Sequence, residues 1–247
     1  MEKKSEIVEI CLLAGKIMLE SGAETYRVED TMNRMAAAFG ILTSHSYVTP
    51  TAIMFSASQT EPTNLIRINE RSTDLEKVTI TNSISRKISS GDLTLEEAKM
   101  ELDELSKKDL SYPIWIQILA SAIASGCFTI MFFGTWTDFL PACVAGGVGF
   151  AFFIFIHKLI RIKFFSEILA SFLIGIVAYL FIITGVGAEL DKIIIGSVMP
   201  LVPGLLITNA IRDLIAGHLV SGLSKGAEAF LTALAIGTGI AVVLAIF

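Results

Sequence analysis

The second half of this chain contains five apolar stretches, each about as long as a membrane-spanning helix. They lie near residues 114–134, 137–156, 166–187, 192–211 and 228–247. A helix needs about 20 mostly apolar residues to cross the hydrocarbon core of a bilayer. Because backbone groups in lipid must be paired within the structure, an apolar segment of this length is expected to cross as a helix. The sequence therefore predicts an α-helical polytopic membrane protein with about five transmembrane helices.

Charge is divided unevenly along the chain. Residues 1–111 contain 13 Lys or Arg and 18 Asp or Glu, whereas residues 112–247 contain six of each. We therefore predict a small cytosolic α+β domain at 1–110, followed by a membrane domain at 111–247. The formal net charge of −5 argues against nucleic acid as a partner. The three cysteines are scattered and indicate neither a disulfide framework nor a metal site.

Two helices are expected at the start of the polar domain. Residues 5–19 place apolar side chains on one helical face. Ser21, with Glu24 three residues later, matches a capping box, so a second helix is predicted to begin there. Gly40 is expected to end it. Arg27 lies three residues after Glu24 and can pair with it.

The rest of the polar domain mixes strands and helices. The stretches "SYVTPTAIMFSAS" and "NLIRIN" are short and rich in β-branched residues, so we expect strands that form a hairpin. Helical spacing returns over residues 74–89. Thr94 and Glu97 match a second capping box, which predicts another helix.

Basic residues indicate the orientation in the membrane. Most of them fall on one side of the predicted spans: Lys107, Lys108, His157, Lys158, Arg161, Lys163, Arg212 and Lys225. The other side has only Lys192. Since basic loops stay in the cytosol, the amino-terminal domain is expected to be cytosolic and the carboxyl terminus outside the cell membrane.

Small residues on the second and third spans are expected to allow close helix packing, because small faces bring membrane helices together. They are Gly146, Gly147, Gly149, Ala170, Ser171 and Gly175.

The fourth span is unusual because it contains helix breakers and charged residues. Pro200, Pro203 and Gly204 are expected to interrupt the helix. In secondary transporters, such breaks expose helix ends and free carbonyls to substrates and ions. A proline kink without function remains an alternative.

A polar face follows this break. Thr208, Asn209, Arg212 and Asp213 have helical spacing, and the last three can share a face. Glu228 opens the predicted fifth span. Asp213 is the candidate proton carrier, and Arg212 can hold a substrate carboxylate. Alternatively, Arg212 is a cytosolic-side anchor with Asp213 as its ion partner, and Glu228 only complements a helix dipole.

Two stretches of the chain resemble the threonine/serine exporter family. They are "SGAETYRVEDTM" and "MPLVPGLLITNAIRDLIAGHLVSGLSKGAEAFLTALAIGTG". The family's characteristic positions fall on Gly22, Glu24, Thr25, Arg27 and Glu29, and on Pro200, Pro203, Gly204, Asn209, Arg212, Asp213, Gly217, Gly222 and Glu228. Helix capping and domain packing remain the alternative role for Glu24.

The resemblance implies a secondary exporter of small polar metabolites that is driven by the proton gradient. Some members of this family are single long chains, and others are split into two subunits. This chain resembles the larger subunit of a split exporter, which implies a small membrane-embedded partner subunit. A homo-oligomer is also compatible with the sequence. A dicarboxylate, such as succinate, is the alternative substrate.

Two other functions remain open. In one, the chain is a regulatory or scaffold subunit and its small partner performs the transport. In the other, it is a membrane-anchored enzyme with Glu24, Arg27, Asp30 and His45 as its site. No nucleophile elbow or phosphate-binding loop supports the enzyme, so we expect no catalysis, no cofactor and no metal.

Overall fold

The structure is a computed structural model that describes residues 2–247, and it divides them into two compact units. The polar unit contains residues 2–111 and 206–226. The apolar unit contains residues 112–205 and 227–247. The polar unit therefore includes a segment from the far end of the chain as well as the amino-terminal residues.

The amino-terminal part of the polar unit contains four helices and three strands. In chain order they are α1 (Glu2–Glu20), α2 (Thr25–Ala38), β1 (His45–Thr49), β2 (Ala52–Ser56), β3 (Asn64–Arg67), α3 (Leu75–Ser90) and α4 (Leu95–Lys107). This confirms the predicted mixture of helices and strands. Ile10, Met32, Ile53, Phe55 and Leu102 lie in its continuous apolar core.

The strands form one antiparallel sheet in the order β1-β2-β3. His45 pairs with Ser56 in the first ladder, and Ala52 pairs with Arg67 in the second. The stretch predicted as one strand region is thus itself a hairpin, which turns at Pro50 and Thr51. Proline favours such a turn because its φ is fixed.

One of the two predicted capping boxes is confirmed and the other is wrong. Thr94 and Glu97 form both bonds of a capping box at the start of α4. At α2, Glu24 is the N-cap residue and its side chain makes no capping bond. Ser21 instead lies in the turn directly after α1, where Gly22 adopts a φ of 89°. The end of α1 therefore occupies the position that the capping box would need.

The remaining helices include four long apolar ones and a broken segment of shorter ones. In chain order they are α5 (Ile114–Met131), α6 (Trp136–Ile160), α7 (Lys163–Ile183), α8 (Leu190–Val198), a 3-10 turn (Met199–Leu201), α9 (Gly204–Ile215) and α10 (Leu219–Ile246). Four of the described helices are long and apolar enough to cross a membrane: α5, α6, α7 and α10. Leu190–Leu201 and Gly204–Ile215 pass that test only together, as a pair bent by 62°. By length and composition, the described residues thus hold four candidate spans, or five if the bent pair is one span.

The bend lies where the sequence predicts it. Pro200 lies in the 3-10 turn, Val202 has extended backbone, and the helix resumes at Gly204 directly after Pro203.

The last helix, α10, begins earlier than predicted. The fifth span was expected at 228–247, but α10 starts at Leu219. Polar residues such as Ser221 and Lys225 shorten the apolar stretch without ending the helix.

Small residues bring the helices of the apolar unit together, as expected. A Cβ atom on Gly147 would lie 3.0 Å from the Cβ of Ala122 on α5. A Cβ on Gly175 would lie 2.9 Å from Val243 on α10. Ala170 and Ser171 are fully buried on α7. Close approach of this kind is the usual basis of helix association in lipid.

Candidate functional site

The turn between α1 and α2 presents backbone carbonyl groups to the carboxyl-terminal segment of the polar unit. The N–H of Gly22 donates to Leu19 O, and the N–H of Ala23 donates to Met18 O. This is a Schellman motif, in which glycine adopts the left-handed conformation. The carbonyls of Gly22 and Ala23 are left outside these helical bonds and accept from Asn209 Nδ2 at 2.9 Å and from Lys225 Nζ at 3.5 Å.

Helices α9 and α10 supply the residues on the other side. Gly217, with a φ of 88°, ends α9 by a second Schellman motif, in which the N–H of His218 donates to Asp213 O at 2.9 Å. A Cβ on Gly222 would lie 3.0 Å from Ala210 O. Only glycine fits at this approach, so α9 and the start of α10 pack closely. This packing brings Asp213 and Lys225 close together, although they are 12 positions apart in the sequence.

Asp213 binds the first residue of α2. Its carboxylate accepts the N–H of Thr25 at 3.0 Å and the Thr25 hydroxyl at 2.8 Å. The first N–H groups of a helix lack partners within the helix, and a carboxylate there also complements the helix dipole. Asp213 thus supplies the capping group that Glu24 does not. We call Glu24, Thr25, Arg212, Asp213 and Lys225 the helix-end cluster.

Lys225 is the partner of Asp213 within the helix-end cluster. Its Nζ lies 2.7 Å from Asp213 Oδ2 and 3.2 Å from Thr25 Oγ1. Asp213 is 0% exposed and the Lys225 side chain 4%. The expected alternative pair of Arg212 with Asp213 is wrong, because Asp213 pairs with Lys225. The sequence predicted Lys225 only as an orientation signal, because no local pattern pairs it with Asp213.

Arg212 and Arg27 hold the carboxylate of Glu24 from two sides. Arg212 NH1 donates to Glu24 Oε1, and Arg27 NH1 lies 3.5 Å from Glu24 Oε2. Burial raises the pKa of Glu24, but the hydrogen bonds from its own backbone N–H and from Arg212, with the charges of both arginines, outweigh burial and lower the pKa below its ordinary value. The predicted pairing of Arg27 with Glu24 is confirmed. The Arg212 side chain remains 60% exposed.

Glu29 and Ser221 bind the backbone of β1. Glu29 Oε1 accepts the N–H of Val48 at 2.8 Å, and Ser221 Oγ donates to Val48 O at 3.1 Å. This covers the free edge of the sheet. His218 Nδ1 lies 3.7 Å from Glu29 Oε1. Burial raises the pKa of Glu29, and the Val48 hydrogen bond and the His218 charge oppose that shift without cancelling it.

The sequence-predicted site residues fall into two groups. The structure brings together five of them: Glu24, Arg27, Asn209, Arg212 and Asp213. It places Glu29 on α2, the helix that also contains Arg27. It assigns Pro200, Pro203 and Gly204 to the apolar unit. Thr208 is exposed on α9. Glu228 also belongs to the apolar unit and pairs with Lys163 at 3.0 Å.

The helix-end cluster combines a fixed part with an exchangeable part. Asp213 and Lys225 are buried and bind each other, which fixes α2 against α9 and α10. Arg212 is mostly exposed and binds the carboxylate of Glu24. Its guanidinium can therefore bind a carboxylate from solution in place of Glu24. Within residues 2–247, no group of three or more His, Cys, Asp or Glu is placed to hold a metal ion.

The chain matches a protein family described as "Putative threonine/serine exporter" over residues 9–247. Both stretches that form the helix-end cluster lie within this match. No solved structure matches the chain.

Three curated relatives illustrate the range of related proteins. A "Probable threonine/serine exporter" of Mycobacterium tuberculosis is 24% identical over 92% of this chain. A "Probable succinate transporter subunit YjjP" of Escherichia coli is 23% identical over 100% of it. A "Pheromone-regulated membrane protein 10" of Kluyveromyces lactis is 25% identical over 100% of it.

The relatives differ in length. The chain spans 44% of the mycobacterial protein and 26% of the Kluyveromyces protein, but 96% of the Escherichia coli subunit. Related proteins thus occur both at about this length and as much longer chains. With its apolar helices and its match over residues 9–247, this chain is a multi-pass membrane protein that belongs to the threonine/serine exporter family.

Proposed function

We propose that the chain is one subunit of a proton-coupled exporter of small polar metabolites of the threonine/serine type. One observation carries this proposal: the guanidinium of Arg212, an exposed side chain, binds the carboxylate of Glu24 within the same chain. A substrate carboxylate can replace Glu24 on the guanidinium by the same charge-assisted bonds. Substrate binding then frees the start of α2, while Asp213 and Lys225 keep the helices in place.

The distribution of charge supports a location in the cell membrane with the polar unit in the cytosol. Lys158 lies in the last turn of α6, Arg161 follows that helix, and Lys163 begins α7, so this junction carries the basic residues expected on the cytosolic side. Arg212 then lies on the side from which an exporter takes up its cargo, and the carboxyl terminus lies outside. This orientation is part of the proposal.

A separate cavity in the polar unit, whose lining does not include Arg212, has charges that fit an amino acid better than a dicarboxylate. It has a volume of about 440 Å³ and is lined by Lys16, Arg71 and Lys77 together with Glu20 and Glu70. Lining groups of both signs suit a zwitterion, because the cations attract its carboxylate and the acids its ammonium group. Succinate has no group for the two acids. Serine and threonine are therefore the first substrates to test, and succinate is the alternative.

The lengths of the relatives support a partner subunit. The Escherichia coli protein is named as a subunit and has about the length of this chain, whereas the mycobacterial protein is much longer. We propose a small, membrane-embedded partner subunit. In the second candidate function, this chain only regulates or scaffolds that partner.

Efflux from loaded cells tests the proposal. Cells are loaded with serine, threonine or succinate, and efflux is measured with the chain, the small partner, or both expressed. We expect efflux of serine and threonine only when both are present. Full efflux with the partner alone would favour the regulatory role, and faster efflux of succinate than of serine or threonine would favour the dicarboxylate.

A further inference from the structure

Two buried acids lie in the apolar unit, Asp138 and Glu167, and Asp138 accepts hydrogen bonds from Thr135, Ala188 and Glu189. Glu167 is the fifth residue of α7 and is 2% exposed. Its Oε2 atom has no hydrogen-bond partner among the described residues. Buried polar atoms are almost always paired. A carboxyl group that is buried without enough donors is favoured in its neutral form, because an unpaired charge is very costly there.

The groups that face Glu167 come from two helices. On its own helix, Lys163 lies one turn earlier, and on α10 the carboxylate of Glu228 and the hydroxyl of Thr232 face it. Lys163 Nζ binds Glu228 Oε1 at 3.0 Å. Thr232 is 1% exposed, and within residues 2–247 its Oγ1 also lacks a partner. Two unpartnered polar groups therefore lie close together beside an ion pair.

These residues form two layers along α7 and α10. Lys163 and Glu228 form the outer layer, with side chains that are 39% and 24% exposed. Glu167 and Thr232 lie four residues further along each helix and form the buried layer. The two helices approach closely beyond it, since a Cβ on Gly239 would lie 2.9 Å from the backbone N of Phe172. The outer layer is thus the more exposed side of Glu167.

We propose that Glu167 is the residue that binds and releases the coupling proton of this exporter. This inference rests on the proposed function, because it takes proton-coupled export as the process that Glu167 serves. We assign Glu167 as the neutral acid, whose O–H is a donor available to the unpartnered Thr232 Oγ1. This hydrogen bond gives Thr232 Oγ1 a donor and gives the acidic proton of Glu167 an acceptor.

Release of the proton changes the partners of Lys163. The Glu167 carboxylate then needs donors, and the ammonium group of Lys163 lies one turn away on the same helix face. Lys163 therefore moves from Glu228 toward Glu167, while the Thr232 hydroxyl turns to donate. The two protonation states thus favour two contacts between α7 and α10. Protonation shifts the population between them.

Asp213 provides the contrast. Its carboxylate accepts three hydrogen bonds, one of them from a buried ammonium group. We assign Asp213 to positioning α2, and Glu167 to proton binding. The earlier prediction that Asp213 carries the proton remains testable, since Asp213→Asn and Glu167→Gln can be compared in the same assay.

Infrared spectroscopy tests the protonation site without any transport. The purified full-length chain is titrated, and the carbonyl-stretching band of a neutral carboxylic acid is followed. We expect a neutral-acid band that disappears in Glu167→Gln and is retained, with a changed titration, in Glu167→Asp. Asp191→Asn is the matched control, because Asp191 is an exposed acid of the same unit. A wild-type spectrum identical to that of Glu167→Gln would overturn the proposal.

Transport in reconstituted vesicles, with the partner present, tests the coupling. In Glu167→Gln we expect loss of efflux driven by a proton gradient, with exchange of labelled for unlabelled substrate retained at equal pH. Gradient-driven efflux that is unchanged in a folded Glu167→Gln protein would overturn the proposal. If the wild-type protein transports none of the substrates, the proposed function fails instead, and the infrared result still decides whether Glu167 is a protonation site.

Discussion

The carboxyl groups of Glu24, at the N-cap of α2, and of Glu29, within α2, have pKa values shifted in opposite directions. Glu24 is compensated by Arg212 and Arg27, and its pKa lies below the ordinary value of 4.5. The cost of burying the charge of Glu29 is less well compensated by its neighbours, and its pKa lies above that value. A lowered pKa stabilises the fold above the ordinary value, and this stability is lost as the pH falls through the folded pKa. For a raised pKa, stability is present at low pH and is lost as the pH rises.

The same substitution at these two positions should therefore have opposite effects. At neutral pH, Glu24→Gln is expected to lower the unfolding temperature of the purified chain and to weaken its loss of stability below pH 4.5. Glu29→Gln keeps an acceptor for Val48 and removes a desolvated charge, so its unfolding temperature should be unchanged or higher. Thermal unfolding across pH measures both. A drop of equal size in both variants at neutral pH would contradict this assignment.

Sequence reasoning identified most of these residues but not all of their partners. Glu24 and Arg27 lie three positions apart, so their pairing follows from helix geometry alone. The pairing of Arg212 with Glu24 joins residues 188 positions apart. No local pattern encodes such a contact. Lys225 was missed as a partner because its position beside Asp213 depends on the close packing of α9 and α10 at Gly222.

At the scale of elements, the buried pair of Asp213 and Lys225 holds three helices together. Asp213 comes from α9, Lys225 from α10, and both bind Thr25 at the start of α2. A buried ion pair contributes little net stability compared with apolar side chains of similar size. Removal of one partner is costly, however, because it leaves a buried charge without compensation. The pair therefore specifies how the helices pack.

A double-mutant cycle tests this role. We expect Asp213→Asn and Lys225→Met each to lower the free energy of unfolding by about 3–5 kcal/mol. The loss in the free energy of unfolding should be smaller in the double variant than the sum of the two single losses, because the double variant leaves neither charge without a partner. Denaturant unfolding of the purified chain measures all four proteins. Strictly additive costs would show that the two residues are not coupled. In the efflux assay, Asp213→Asn also tests the earlier expectation of a proton-carrying role.

Elements with strong periodicity were predictable, and their junctions were not. The polar domain's helices and strands follow from apolar spacing and β-branched content. The hairpin at Pro50 was missed because the two strands around it are only five residues long. The predicted box at Ser21 and Glu24 was wrong because Gly22 ends α1 in the same place. Element ends depend on backbone geometry that residue type only partly determines.

At the scale of the whole molecule, the two stretches that resemble the exporter family come together in one site. The first begins at Ser21 and the second ends beyond Lys225, yet the polar unit contains residues from both. Composition and hydropathy predicted a polar domain and about five spans. They did not predict that residues 206–226 belong to the polar unit, because an apolar helix that packs on protein and one that faces lipid have similar sequences.

The central claim is that Arg212 exchanges Glu24 for a substrate carboxylate, and efflux through Arg212 variants tests it most directly. Efflux of serine and threonine is measured from loaded cells that contain the chain and its partner, for wild type, Arg212→Lys and Arg212→Gln. Arg34→Gln is the control, because Arg34 pairs with Asp30 on the exposed face of the same unit.

A hydrogen bond to a charged group contributes about 1.5–3 kcal/mol, so Arg212→Gln should lower efflux by roughly tenfold or more. Arg212→Lys should restore part of it, because lysine keeps the charge but not the planar fork. The control should match wild type. Undiminished efflux in a folded Arg212→Gln protein would contradict the account.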